Sequence, residues 1–122
     1  MTDCPFCERV ADHEYDYSDD HCVAFEPLLP VTSGHFLVVP RKHVAHVLEN
    51  PAQASYALKF AGYLANEMGL EAANFITSAG LAATQSVFHL HIHVVPRRSG
   101  DGLVLPWTHQ QAELAKLPGA RK

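Results

Sequence analysis

Apolar residues along this chain recur with one of two periods, and each change of period marks a change of predicted element. The stretch HCVAFE, His21 to Glu26, alternates weakly and predicts a strand. Prolines at 27 and 30 and the run Thr32-Ser33-Gly34 predict a loop. HFLVV, His35 to Val39, predicts a second strand, stopped at Pro40, which has no N–H for a ladder. The period then lengthens. Val44, Val47 and Leu48 predict a short helix over 43–49. Asn50 as N-cap and Pro51 at the first helical position open a longer one, with Ala57, Phe60, Ala61, Leu64 and Met68 as its apolar stripe and Gly69 as its end.

Period two returns at NFITS, Asn74 to Ser78, a third strand, and most strictly between Val87 and Val95. On a strand, Val87, His89, His91, His93 and Val95 share one face, and Phe88, Leu90, Ile92 and Val94 share the core face. Thr108 and Gln111 have the spacing of a capping box before a short last helix, and the tail PGARK frays. Strands, one dominant helix and further strands predict an α+β fold. It is a mainly antiparallel sheet of about five strands with one long and one or two short helices. Residues 1–108 read as a single domain and 109–122 as a C-terminal extension.

Composition narrows the function. With 48% hydrophobic and 18% charged residues the chain is globular, not disordered. A formal charge of −4, with nine histidines counted neutral, excludes a general binder of nucleic acid polymers, which needs a basic face. No stretch approaches the ~18 apolar residues of a membrane span, and the N-terminus lacks the pattern of a signal peptide, so the expected location is cytoplasmic. There Cys4, Cys7 and Cys22 are thiols or metal ligands, not a disulfide framework.

His89, His91 and His93 carry the candidate chemistry. Imidazoles at alternate strand positions start about 6.6 to 7 Å apart, so two can meet one substrate atom while three need not converge. One reading is a metal site, because His-x-His on a strand can present two imidazoles to zinc, although the strand supplies no carboxylate base. The other is nucleophilic catalysis, with a neutral imidazole attacking phosphorus while its neighbours stabilise charge and move protons.

The run Gln85-Ser86-Val87-Phe88-His89-Leu90-His91-Ile92-His93-Val94-Val95 resembles the signature of the histidine triad (HIT) superfamily of nucleotidyl hydrolases and transferases, and GHFLVVPRKHV resembles that family's other marked block. The resemblance spans Cys4 to about Trp107. It implies a fold of the HIT type and an enzyme attacking the α-phosphate of a nucleoside monophosphate conjugate, purine by preference: a phosphoramidate, an acyl-nucleotide or a dinucleoside polyphosphate. His91 is then the nucleophile that forms a nucleotidyl-histidine. Gln85 and Ser86 contact phosphate or leaving group, and His93 and His35 are the remaining site histidines. Glu26, Ser78, Gln85, Ser86 and His93 are the expected nucleotide contacts. The alternatives are a metalloprotein using the triad histidines as functional ligands, and a nucleotide-binding module with little turnover.

Three positions depart from the family pattern. Pro27 stands where many members carry a ribose-gripping carboxylate or amide, and alternation would turn neighbouring Glu26 to the opposite face. Ser78 and Thr84 stand where relatives often carry asparagine and glycine. In zinc-binding branches of the family a Cys-x2-Cys pair is completed by two histidines, which implies Cys4, Cys7, His43 and His89 around a structural zinc, with no organic cofactor. Cys22 falls outside that set and reads as a small core residue. Apolar helix and sheet-edge surface, together with the family's habit, implies a symmetric homodimer.

Overall fold

A computed structural model describes residues 4–119. Its element order is α1 (Pro5–Ala11), β1 (Tyr17–Ser18), β2 (Cys22–Phe25), β3 (Phe36–Pro40), α2 (Pro51–Glu67), β4 (Ala73–Ile76), β5 (Ile92–Pro96) and α3 (Thr108–Ala115), with one turn of 3-10 helix at Leu81–Ala83 before β5. The five strands form one sheet in the order β1-β2-β3-β5-β4, every pair antiparallel. This is the α+β class that the hydrophobic pattern predicts.

The two faces of the sheet are covered differently. On one, Cys22, Ala24, Phe36, Val38, Ile92 and Val94 pack against Ala57, Phe60, Ala61, Leu64 and Ala65 of α2. Truncating a ring such as Phe60 to alanine costs roughly 3–5 kcal/mol. On the other face Val23, Phe25, Leu37 and Val39 pack against Cys4 and Phe6, with Val87 at the margin. The short α1 thus closes the site face, and the paired register sets Leu37 and Ile76 on either side of His93.

The long helix follows its signals: Asn50 Oδ1 accepts the Gln53 N–H at 3.1 Å, and Gly69 leaves the helix at φ 73°. Met68, however, is 41% exposed, and Ala65 takes the predicted place in the core. Several expectations are corrected by backbone bonding. The predicted helix over 43–49 does not form, because its polar groups have tertiary partners: the Leu90 N–H donates to the Val44 carbonyl at 2.7 Å, and Gln85 Nε2 donates to the Ala45 carbonyl at 2.7 Å. The histidine strand is shorter than Val87–Val95: its ladder begins at Ile92, and Phe88 is half exposed instead of seated in the core. At α3 the N-cap is Trp107, since Thr108 Oγ1 instead accepts the Leu105 N–H at 2.7 Å. Two elements carry no period in the sequence: α1, and the two-residue β1 inside a polar run. Of the predicted frayed tail, residues 120–122 lie outside the described residues.

Candidate functional site

Cys4, Cys7, His43 and His89 bring one ligand atom each to within 4.8 Å of one another. Cys4 caps α1 through its sulfur, which accepts the Cys7 N–H at 3.3 Å, and Pro5 at the first helical position fixes that turn. Cys7 Sγ lies 3.2 Å from His43 Nδ1, and His89 Nδ1 lies 3.3 Å from Cys4 Sγ and 3.5 Å from Cys7 Sγ. In a tetrahedral zinc site with Zn–S near 2.3 Å and Zn–N near 2.0 Å, sulfur and nitrogen stand about 3.5 Å apart, so both donor set and spacing fit a metal of this type. His89 is prepared for that position. Its Nε2–H donates to the Pro40 carbonyl at 2.8 Å, leaving Nδ1 unprotonated toward the thiols. Burial, reinforced by the neighbouring His43 and His91, holds its pKa down to about 4 despite that carbonyl. Burial and the adjacent Cys4 push Cys7 up to about 11, so metal uptake at neutral pH must displace a thiol proton.

Two residues on, His91 has the opposite polarity. Its Nδ1–H donates to the carbonyl of His89 at 2.8 Å, which leaves Nε2 with an unprotonated lone pair. Burial lowers its pKa below the ordinary value, partly offset by that bond. At His93, Nδ1 lies 2.9 Å from His35 Nε2, and His35 Nδ1 accepts the Val31 N–H at 3.0 Å. A backbone N–H can only donate, so neutral His35 carries its proton on Nε2, gives that bond to His93 Nδ1, and leaves His93 with an outward Nε2–H. Burial and the two neighbouring imidazoles hold His93 at about 4, and burial lowers His35, offset by the carboxylate of Glu26.

His35, His91 and His93 open on a cavity of about 790 Å³ that also meets Phe6, Glu26, Ser78, Thr84, Gln85 and Ser86. Glu26 reaches it because β2 ends at Phe25, so the predicted alternation no longer applies. Leu28 and Leu29, 92% and 87% exposed, add an apolar wall. The amide of Gln85 is fully engaged: Nε2 donates to the Ala45 and Val87 carbonyls at 2.7 and 3.0 Å, and Oε1 accepts the Gly80 N–H at 2.8 Å. With these partners the amide shapes the turn into the triad. Thr84 holds that turn at φ 68°, a left-handed conformation that disfavours its branched side chain.

The three triad histidines do not converge on one point; among the described residues only His89 belongs to the metal-ligating group. The sequence reading missed three contributors. Phe6 packs edge-on against Phe25, His89 and His91, with ring centroids 5.5, 5.9 and 5.2 Å apart. Arg9 lies over the Phe25 ring at 4.1 Å. Arg97, just past the end of β5, pairs with both Asp101 oxygens at 2.8 and 3.0 Å and also donates to Asn74 Oδ1 and the Leu103 carbonyl. The Cys-Pro-Phe-Cys opening, Cys4 to Cys7, could have pointed to α1, since cysteine can cap a helix and proline suits its first turn.

Fold and site together define a histidine triad protein, and the chain belongs to the HIT family: the HIT domain profile matches residues 8–100. The chain is 30% identical to the adenosine 5'-monophosphoramidase HNT1 of Saccharomyces cerevisiae, over 93% of this chain and 75% of that enzyme. It is also 30% identical to the adenylylsulfatase HINT3 of Arabidopsis thaliana, over 84% of this chain and 56% of that one. Among solved structures, a zinc-bound histidine triad family protein from Mycobacterium smegmatis superposes with a TM-score of 0.71 at 32% identity, covering 84% of this chain and 81% of its own.

Proposed function

We propose that this protein is a nucleotidyl hydrolase or transferase that forms a covalent nucleotidyl-histidine on His91. The observation that carries the reading is the bond from His91 Nδ1–H to the His89 carbonyl, because it leaves Nε2 nucleophilic inside the cavity. The Nε2 lone pair attacks the α-phosphorus of a purine nucleoside monophosphate conjugate, and the leaving group departs with the bonding pair. His93 offers its Nε2–H to a phosphoryl oxygen, and a donor placed on developing charge contributes about 3 kcal/mol. His35 keeps that donor correctly oriented. Ser86 and Ser78 line the phosphate side, Glu26 faces the sugar, and the apolar wall of Leu28 and Leu29 receives the base. Water or a second phosphate then releases the nucleotide from His91.

Cys4, Cys7, His43 and His89 are assigned to a structural zinc; four protein ligands leave no open position for a metal-activated water. Thiol ligands suit a reducing compartment, and we place the protein in the cytoplasm. No helix among the described residues is long and apolar enough to cross a membrane. Residues 1–108 act as one catalytic unit, paired with a second copy through the sheet edge at β4, where Phe75 and Ile76 are 41% and 38% exposed.

The test is to mix the protein with an adenosine phosphoramidate, quench, and look by mass spectrometry for an adduct on His91. His91→Ala should lose the adduct and at least about 10⁴-fold in turnover. Binding without adduct or turnover would instead identify a nucleotide-binding module. Turnover that needs metal and proceeds without adduct would identify a metalloenzyme.

A further inference from the structure

Phe6 stands between the two cysteines of the metal-ligating group and touches the ring of the nucleophile. Cys4 and Cys7 lie two residues before and one residue after it, so the helical turn carrying Phe6 is tethered on both sides. Its ring meets His91 edge-on at 5.2 Å and an interplanar angle of 78°, and His89 at 5.9 Å and 75°. Phe25 holds its remaining edge at 5.5 Å. Phe6 is only 9% exposed, so it moves only if the turn moves.

The bond from Nδ1 to the His89 carbonyl fixes the tautomer of His91 but leaves its ring able to swing about that bond. The Phe6 ring, packed edge-on against it, limits that swing. A second neighbour is His93, whose ring lies 5.2 Å from His91 at 64° and is itself held by His35. The two packed rings together restrict the directions in which Nε2 can point.

We propose that Phe6 is a positioning residue for His91, and that the Cys4, Cys7, His43 and His89 centre sets the aim of the nucleophile by clamping the turn that carries Phe6. This rests on the assignment of His91 as nucleophile. The centre acts on the reaction through a packed ring, with no charge passed to the phosphate.

The prediction is a non-additive pair of perturbations, read on His91 itself. In protein carrying ring-labelled histidine, assigned by comparison with His91→Asn, the His91 ring proton shifts are followed by NMR in zinc-loaded and chelated samples of the native chain and of Phe6→Leu. Loss of metal and loss of the phenyl ring each displace the His91 shifts, and in Phe6→Leu chelation adds little further change. Phe6→Tyr keeps the ring and restores the native response. In rapid-quench measurements Phe6→Leu slows adduct formation by between about tenfold and a hundredfold, the usual result of misaiming a reacting atom, with substrate affinity changed by less than about threefold.

A His91 shift on chelation that is as large in Phe6→Leu as in the native chain overturns the proposal, because coupling would then run through the His89 backbone. A loss confined to substrate affinity, with the adduct forming at its native rate, also overturns it and makes Phe6 a cavity wall only. Absence of any adduct in the native protein is a separate failure, that of the nucleophile assignment, and the NMR comparison still decides whether the metal reaches His91 through Phe6.

Discussion

His89 and His93 stand two residues to either side of His91, and the protein uses them in opposite tautomers. His89 gives its Nε2–H to the Pro40 carbonyl and turns a bare Nδ1 toward two thiols. His93 accepts at Nδ1 from His35 and turns an Nε2–H into the cavity. One is placed as a candidate metal ligand, the other as a donor, although the sequence repeats the same residue at the same interval. The difference is made by what lies across the sheet: a carbonyl faces one ring, and a histidine fixed by a backbone N–H faces the other. Tautomer, and hence task, is set by the partner of the nitrogen that does not react.

The comparison can be broken from either side. The largest expected loss is on the ligand side: with free zinc at 100 to 1,000 times its dissociation constant, chelation should lower the unfolding free energy by about 3–4 kcal/mol, measured by urea denaturation. Cys4→Ser should reproduce most of that loss and be insensitive to chelator. On the donor side, His35→Ala removes the group that fixes His93 and should lower turnover by roughly 10²-fold, with folding stability changed far less. The turn that leads into both histidines offers a smaller effect in the opposite direction. Thr84→Gly should stabilise by up to about 1 kcal/mol, because glycine accepts the left-handed backbone that threonine occupies under strain.

The smallest effect is a slope with pH. His93 titrates at about 4 in the folded protein, against an ordinary value of 6.5. As pH falls through that interval the unfolded chain takes up a proton that the folded chain refuses, so stability present above 6.5 declines toward 4. His93→Asn should make that decline shallower in denaturation curves at pH 7 and pH 5, while leaving the zinc stoichiometry unchanged. An unchanged slope would mean that His93 is as solvated as an ordinary histidine.

The parts of this molecule that the sequence made legible are those whose periodicity is local. The stripe on α2, the alternation of β2 and β3, and the spacing of the triad need only the chain itself. What it hid depends on distant partners. Val44, Val47 and Leu48 have helical spacing, yet Leu90 and Gln85 claim the carbonyls that such a helix would have used. β1 is two exposed residues whose only reason to be a strand is the neighbouring β2. Glu26 escaped its predicted face because alternation ends with the ladder, one residue earlier. Within the site, the four residues that could hold a metal were nameable from a family likeness, and the structure gathers them. Which partner each histidine would take, the Pro40 carbonyl for His89, the His89 carbonyl for His91 and His35 for His93, could not be read from spacing.

The Arg97 clip has a consequence for how such a chain can change. Its guanidinium grips both Asp101 oxygens, Asn74 of β4 and the Leu103 carbonyl, and the backbone N–H groups of Arg98 and Leu103 close on the same carboxylate, holding Asp101 well below the usual carboxylate range. The wall formed by Leu103 to Leu105 is therefore anchored upstream of α3, a helix that buries none of its own residues. Selection on the cavity therefore reaches as far as Leu105, and the sequence of α3 beyond it can drift while the chamber keeps its shape.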